Sequence, residues 1–207
     1  MKPIVLLDVD GVLANFIQAS LDALHIVGIA CEFDHDDVTS WHLEDSLRLN
    51  DRQRRYLAQR WCDPGFCASI RPYAGAREGV DALREVANVY ACTAPMWSSP
   101  TWQGERLEWL ADHFGFDRRH VISTHAKHLI GGDVFVDDKP EHVHEWRAVA
   151  SEWRRGWALL WARKYNEGVS LPFVRTWRVD DWSAVLTVAR IVHDRATEDQ
   201  HGCEVPV

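Results

Sequence analysis

Ile4-Val5-Leu6-Leu7 is an apolar run of strand length that stops abruptly on Asp8-Val9-Asp10-Gly11. A strand without polar alternation fits burial on both faces, as in a parallel sheet covered by helices on each side. Such sheets hold ligands beyond the carboxyl ends of their strands. Asp8 and Asp10 are two residues apart, so a continuing extended backbone points both side chains the same way. Like charges held that close repel, and a divalent cation lets both stay ionised. Few carboxylates completed by water is the oxygen chemistry of magnesium. Gly11 permits the tight turn that aims main-chain N–H groups at an anion. The set points to phosphoryl chemistry, with a simple turn or helix cap as the plainer use of the same residues.

The other apolar runs repeat this layout. Val89-Tyr90-Ala91-Cys92 ends on Thr93, Val121-Ile122-Ser123 follows, Val134-Phe135-Val136 ends on Asp137-Asp138, and Trp157 to Trp161 makes a fifth strand. Helical patterns lie between them. Asn15 to Val27 puts Phe16, Leu21 and Leu24 on one face, with Gly28 as a stop. From near Gly75, Ala76, Val80, Leu83 and Ala87 recur at spacings of three and four. Ser99-Pro100 opens a helix with Trp102, Arg106, Trp109 and His113 on one side and Gly115 at its end. Val143, Trp146, Val149 or Ala150, and Trp153 form another stripe. Asp180 is the predicted cap of a last helix carrying Trp182, Val185, Leu186 and Ala189.

Strands alternating with helices predict an α/β fold, a doubly wound parallel (Rossmann-like) sheet. Residues 31–71 break the pattern, being polar, acidic and Trp-bearing with no buried strand, and read as a small helical cap inserted after the first strand. The division expected is a core of 1–15 and 72–196, a cap of 16–71 and a frayed tail of 197–207.

A chain of 207 residues that is 46% hydrophobic can bury a core as one domain with an insertion. Its net charge of −8 argues against long nucleic acid as a partner. No stretch has transmembrane length, and the first apolar run meets two acids at once, so neither a membrane nor a secretory leader is expected. Cys31, Cys62, Cys67, Cys92 and Cys203 are an odd set without CxxC spacing, which predicts reduced thiols and a cytoplasmic location rather than a disulfide framework or a zinc site. Most of the eleven tryptophans should anchor cores, while some supply a stacking surface. His142 and His144 do not share a helix face, and His125 and His128 flank Lys127 without a metal partner, so all four read as surface or supporting residues. Asp133 precedes its strand and reads as a turn residue at the wrong end of the sheet.

Asp8 with Asp10, then Thr93, then Asp137 with Asp138 end three strands that can converge at one sheet edge, and Lys127 lies between the last two strands. Their order resembles the four-motif signature of the haloacid dehalogenase superfamily of phosphotransferases. Within it, the chain is similar to the 5′(3′)-deoxyribonucleotidases over nearly its whole length. DVDGVLANF, Ala91-Cys92-Thr93-Ala94-Pro95 against that family's CTSP element, Val136-Asp137-Asp138-Lys139-Pro140 against its IDDRP element, and Asn166 with Trp177 through Trp182 carry the likeness.

The resemblance implies that Asp8 is the nucleophile, giving an aspartyl-phosphate, and that Asp10 protonates the leaving oxygen and then deprotonates water. An acid at Asp10 speaks for a phosphatase, since the superfamily's dehalogenases lack one there. Mg²⁺ would bind the Asp8 carboxylate, the Asp10 carbonyl and one of Asp137 or Asp138, with Asp137 preferred. Thr93, Ala94 and Lys127 would hold the phosphate, Ala94 standing where a serine is usual. Phe16, Trp41 and Trp61 fall where the family surrounds the nucleobase, though cap core is their simpler use. The implied activity is hydrolysis of the 5′(3′)-phosphate of deoxyribonucleoside monophosphates, with a small-molecule nucleotide as substrate, and it allows a homodimer. Two competing readings are a phosphatase of the same superfamily acting on another small ester, and a non-catalytic nucleotide-binding module.

Overall fold

The computed structural model describes residues 2–153 and 156–201, the side chains within 150–153 and 196–201 excepted. The stripe positions Ala150 and Trp153, and Cys203, therefore lie outside the described side chains. In chain order the elements are β1 (Ile4–Leu7), α1 (Phe16–His25), α2 (Leu43–Ser46), α3 (Asp51–Cys62), α4 (Phe66–Ser69), α5 (Ala76–Val86), β2 (Asn88–Thr93), α6 (Trp102–Phe114), β3 (Val121–Ser123), β4 (Val134–Asp137), α7 (Pro140–Trp153), β5 (Trp157–Trp161), β6 (Thr176–Val179) and α8 (Trp182–His201). The six strands form one sheet in the order β3-β2-β1-β4-β5-β6. Every pair is parallel, so the predicted α/β architecture is the observed one.

The period of two along each strand divides the core into two layers. Val5, Leu7, Val89, Ala91, Val134, Val136 and Leu159 face the helices α5, α6 and α8, meeting Val80, Leu83, Trp109, Leu110, Phe114, Val185 and Val188. Leu6, Cys92, Phe135, Ala158 and Leu160 face the other way, toward Val143 and Trp146 of α7. Phe135 and Trp146 stack at 5.3 Å between centroids. A strand buried on both faces reads as a continuous apolar run, which is why β1 and β4 are plain in the sequence.

The chain passes outward from β1 to β2 and β3, then returns across β1 to build β4, β5 and β6. The strand order reverses between β1 and β4, where loops diverge and leave a crevice at the carboxyl ends. Asp8 and Asp137 border it.

Between β1 and α5 the chain carries α1 to α4 and, among the described residues, no named strand. It leaves and returns at one place, since Asn15 N donates to Arg71 O at 2.9 Å and Tyr73 N to Leu13 O at 2.8 Å. Ile17, Leu21, Leu24, Val38, Leu43, Leu47, Leu49 and Leu57 make a separate apolar cluster there. Asn15 caps α1 by accepting from Gln18 N.

Three local outcomes differ from the sequence-based expectation. β6 is a sixth strand: Thr176-Trp177-Arg178-Val179 alternates and lies at the sheet edge, so it lacks the apolar run that marks a central strand. The last helix is capped by Asp181 rather than Asp180, the Asp181 carboxylate accepting from Ala184 N at 2.8 Å. α8 continues to His201, past Thr197, and residues 202–207 lie outside the described residues. Asp133 is where the sequence puts it, before β4, accepting from Ile4 N at 2.8 Å. Cys31, Cys62, Cys67 and Cys92 are free thiols, and no helix among the described residues is long and apolar enough to cross a membrane.

Gly79 marks a close contact between α5 and α8, because a Cβ there would overlap the Trp182 ring. Gly79→Val is expected to destabilise the protein by about 1–3 kcal/mol through overpacking, despite valine's better helix propensity than glycine. Urea unfolding of the variant beside the parent measures this, and an unchanged midpoint would contradict the packing described.

Candidate active site

The carboxyl ends of β1, β2 and β4 deliver Asp8, Thr93 and Asp137 to the crevice, and the loop after β3 delivers Lys127. The Lys127 ammonium lies 2.6 Å from Asp8 Oδ1 and 2.8 Å from Asp137 Oδ2, with only 2% of its side chain exposed. Burial alone would lower the Lys127 pKa, but Asp137 and Asp8 hold it above the ordinary lysine range. Lys127 is thus a buried bridge between the two carboxylates.

The three neighbouring carboxyls respond differently to the same field. Burial, followed by the Asp137 carboxylate, pushes Asp8 up to about 7 against the pull of Lys127. Burial also acts to raise Asp137, but Lys127 and a hydrogen bond from His142 outweigh it and hold that group below the usual carboxylate range. Asp138 is raised well above its ordinary value, first by burial and then by Asp137 and Asp8.

Hydrogen bonding separates the adjacent pair Asp137 and Asp138 further. Asp137 Oδ1 accepts from Lys139 N at 2.8 Å, Oδ2 from Lys127, and His142 Nδ1 reaches both oxygens at 3.2 and 3.1 Å. Asp138 Oδ2 accepts from the Tyr165 hydroxyl, while its Oδ1 is buried without a partner. The main chain of Asp138 is fixed by Asn166, whose Nδ2 donates to Asp138 O at 2.7 Å and to Trp161 O at 2.8 Å. Gly11, at φ 83°, makes room for this carboxylate, because a Cβ there would overlap it. Arg163 Nε holds the Gly11 carbonyl at 2.7 Å.

Asp8 itself is anchored at one oxygen. Its Oδ1 meets both Lys127 and Val9 N, the latter at 2.6 Å, so Oδ2 is the oxygen engaged by neither. Thr93 Oγ1 is buried and has no hydrogen-bond partner in the protein. Asp10 sits two residues on, with Arg106 Nη2 within 2.7 and 2.9 Å of its two oxygens.

Above this edge lies a cavity of about 590 Å³ lined by Asp8, Asp10, Gly11, Ala94, Lys127 and Asp138 at its base. Phe16, Trp61, Trp41, Trp97 and Trp102 form its walls. Phe16 and Trp61 meet at 5.3 Å between centroids, and Trp61 Nε1 donates to Ser20 Oγ at 2.9 Å, which fixes the indole. Trp41 stands across an edge contact with Tyr165, and Lys139 Nζ lies 4.8 Å from its ring centroid. Every site residue read from the sequence is therefore at one location, Thr93 and Asp137 behind its lining and the others on it.

Arg106, Tyr165 and Arg163 carry no functional reading in the sequence, and His142 reads there only as a surface or supporting residue. Arg106 occupies an apolar helix stripe, and a charge in such a stripe was the available signal. His142 has the spacing to reach back to Asp137 from the first turn of α7. Tyr165 and Arg163 sit in an irregular segment whose path no periodicity specifies. His125 lines the cavity rim beside Trp97, His144 bonds the Ser170 carbonyl at 3.1 Å, and His128 lies 3.8 Å from Glu145.

A model of the family described as 5′ nucleotidase, deoxy (pyrimidine), cytosolic type C protein matches residues 2–195. The mitochondrial 5′(3′)-deoxyribonucleotidase of Mus musculus is 27% identical over 202 residues, covering 90% of this chain and 86% of that protein. The cytosolic type of Homo sapiens is 26% identical over 206 residues, covering 90% and 94%. Among solved structures, a haloacid dehalogenase-like family hydrolase from Xanthomonas campestris superposes with a TM-score of 0.55 at 15% identity, over 96% of this chain and 100% of that one. The last is a likeness of fold.

Lys127→Met leaves Asp8 and Asp137 buried together without their cation. A loss of about 3–5 kcal/mol at neutral pH is expected, shrinking as pH falls because protonation then removes the repulsion. Urea unfolding at several pH values checks it, and a loss independent of pH would show that the bridge is not the source.

Proposed function

The chain belongs to the 5′ nucleotidase, deoxy (pyrimidine), cytosolic type C protein family, and we propose that it is a magnesium-dependent phosphatase hydrolysing the 5′(3′)-phosphate of deoxyribonucleoside monophosphates. The observation that carries this reading is the base of the cavity. A carboxylate with one unengaged oxygen, a buried ammonium and an unpartnered hydroxyl stand together there, beside a second acid within reach of solvent.

In the proposed reaction the phosphate settles against Lys127 and Thr93, whose hydroxyl otherwise lacks a partner, and Ala94 contributes only main chain. Asp8 attacks phosphorus through a carboxylate oxygen. The bond from phosphorus to the ester oxygen breaks as the Asp8–phosphorus bond forms, and the proton of Asp10 passes to the leaving nucleoside oxygen. Water then attacks the aspartyl-phosphate and gives its proton to Asp10, which releases inorganic phosphate and restores Asp8. Splitting one displacement into two lowers each barrier, and Asp10 serves as acid first and base second.

Residues 16–71 act as the cap in this reading. Phe16, Trp61 and Trp41 supply aromatic surface for a base, and such stacking is worth about 1–3 kcal/mol per base.

Magnesium suits the oxygen donors present. Asp8, Asp137 and His142 each offer an atom within 4.8 Å of the others, but both Asp137 oxygens already serve Lys127, Lys139 N and His142. The buried, partnerless oxygen is Oδ1 of Asp138, so the ligands proposed are the Asp8 carboxylate, the Asp10 carbonyl and Asp138. This reverses the sequence-based preference for Asp137. When bound, the ion would offset negative charge on the phosphoryl oxygens.

Phosphate release from a panel of deoxyribo- and ribonucleoside 5′- and 3′-monophosphates tests the activity. Release from deoxynucleotides that Asp8→Asn abolishes, with folding retained, is expected. Silence on every nucleotide alongside hydrolysis of sugar phosphates would overturn the substrate class, and an active Asp8→Asn would overturn the nucleophile.

The metal reading has a separate test. Without a cation the folded state holds a proton on Asp8 between the unfolded value of 3.8 and about 7. Stability from this group is full below that window and is lost as pH rises through it. Protons and Mg²⁺ compete for the same oxygens, so Mg²⁺ should raise Tm more at about pH 8 than at about pH 5. Asp138→Asn should remove that increment, and an increment of parental size in this variant would return the assignment to Asp137.

A further inference from the structure

Nη2 of Arg106, on α6, donates to both carboxylate oxygens of Asp10, at 2.7 Å to Oδ1 and 2.9 Å to Oδ2. The two partners have different surroundings. Arg106 is 1% exposed and Asp10 is 29% exposed, on the cavity side. The guanidinium carbon lies 5.0 Å from the Trp102 ring centroid and 5.3 Å from that of Trp109, and both indoles are buried. Beside it, on α4, is the Cys67 thiol, which burial pushes up to about 12 and so keeps neutral.

Stability alone does not account for such a residue. Arg106 Nε and Nη1 are buried without an acceptor, and orphaned donors on a buried cation destabilise a fold. An apolar side chain in the same stripe would avoid that cost. The carboxylate it meets is the one proposed to move protons in both halves of the reaction.

The helix also fixes where the guanidinium stands. Glu105, one residue before it, accepts from Gly65 N at 2.7 Å and Ala68 N at 3.1 Å, locking the first turn of α6 to α4. Trp109 Nε1 donates to Ile70 O at 2.6 Å. A rigid donor therefore addresses a carboxylate on a loop.

We infer that Arg106 is a positioning residue for the proposed hydrolysis, holding one Asp10 oxygen while the other carries its proton toward the ester oxygen, and gripping both oxygens once that proton has left so that the carboxylate stays turned to the attacking water. The inference rests on the function proposed above. Arg106 makes and breaks no bond. Its proposed contribution is to restrict the staggered rotamers open to an otherwise half-free side chain, so that more of the bound complexes have Asp10 within reach of the proton it transfers.

A poor leaving group separates this role from a structural one. A nucleoside oxygen needs a proton as it departs, whereas p-nitrophenolate leaves with little help. The experiment compares kcat/KM, which covers the steps through leaving-group departure, for a deoxynucleoside 5′-monophosphate and for p-nitrophenyl phosphate in the parent, Arg106→Met and Arg106→Lys. Positioned general acids contribute about 10²–10⁴-fold, so Arg106→Met should lose at least about tenfold more on the nucleotide than on the aryl ester. Arg106→Lys should recover part of that ratio. Because both esters are assayed on one preparation, partial unfolding cancels from the ratio. Equal losses on both esters overturn the positioning role while leaving the proposed function standing. A parent that hydrolyses neither overturns the function itself.

Discussion

Lys127 sits where two strands of the sheet would otherwise bring like charges together. With Asp8 at the end of β1 and Asp137 at the end of β4, the reversal of strand order places two buried carboxylates side by side. Bridging both by one ammonium, at 2.6 and 2.8 Å, keeps Asp137 ionised in the buried crevice and opposes the upward pull of burial on Asp8. The same ammonium differentiates its neighbours. Asp137 is held low and locked by its hydrogen bonds, Asp8 is left near neutrality with one oxygen unengaged, and Asp138 keeps a partnerless oxygen behind the Gly11 turn.

Much of this was legible in the chain because burial leaves a simple mark. Strands covered on both faces must be apolar throughout, so β1, β2, β4 and β5 stand out, and polar residues at their ends are conspicuous by contrast. β6 escaped because an edge strand faces solvent and alternates like a loop. The cap at Asp181 rather than Asp180 is a one-residue ambiguity that two adjacent aspartates cannot resolve without φ and ψ. Asp8, Asp10, Thr93 and the 137–138 pair stand at strand ends that can share one edge, and Thr93 and Lys127 gain a role only from the motif order of the family resemblance. Which of the two adjacent acids has a spare oxygen could not be read from the chain, since that depends on Tyr165, His142 and Lys139 arriving from other segments.

The aromatic residues illustrate the same limit. Phe16, Trp41 and Trp61 admit two uses in the sequence, base surface or cap core, and the structure places all three on the cavity lining but only Phe16 and Trp61 against the apolar clusters. Phe16 and Trp61 pack into the apolar clusters and still line the cavity. Trp41, by contrast, is 43% exposed and is steadied by Tyr165 and Lys139. A ring held from one side while its other face is open has already given up rotamer freedom, so a ligand that stacks on it meets a smaller ordering penalty.

Charge accounting across the site leads to a last step. Asp8, Asp10, Asp137 and Asp138 are four carboxyls, and Lys127 and Arg106 are the cations paired with them. Each cation is committed: Arg106 to Asp10, Lys127 to Asp8 and Asp137. Asp138 is left with a hydroxyl on one oxygen and nothing on the other, and it is Asp138 and Asp8 whose proton affinities are raised. A fold that holds protons on two adjacent acids is stabilised at low pH by those protons, and at higher pH a divalent cation can replace them. At the proposed metal site a divalent cation would therefore meet one unpartnered oxygen, Oδ1 of Asp138, and would take the place of the proton whose affinity for Asp8 is raised.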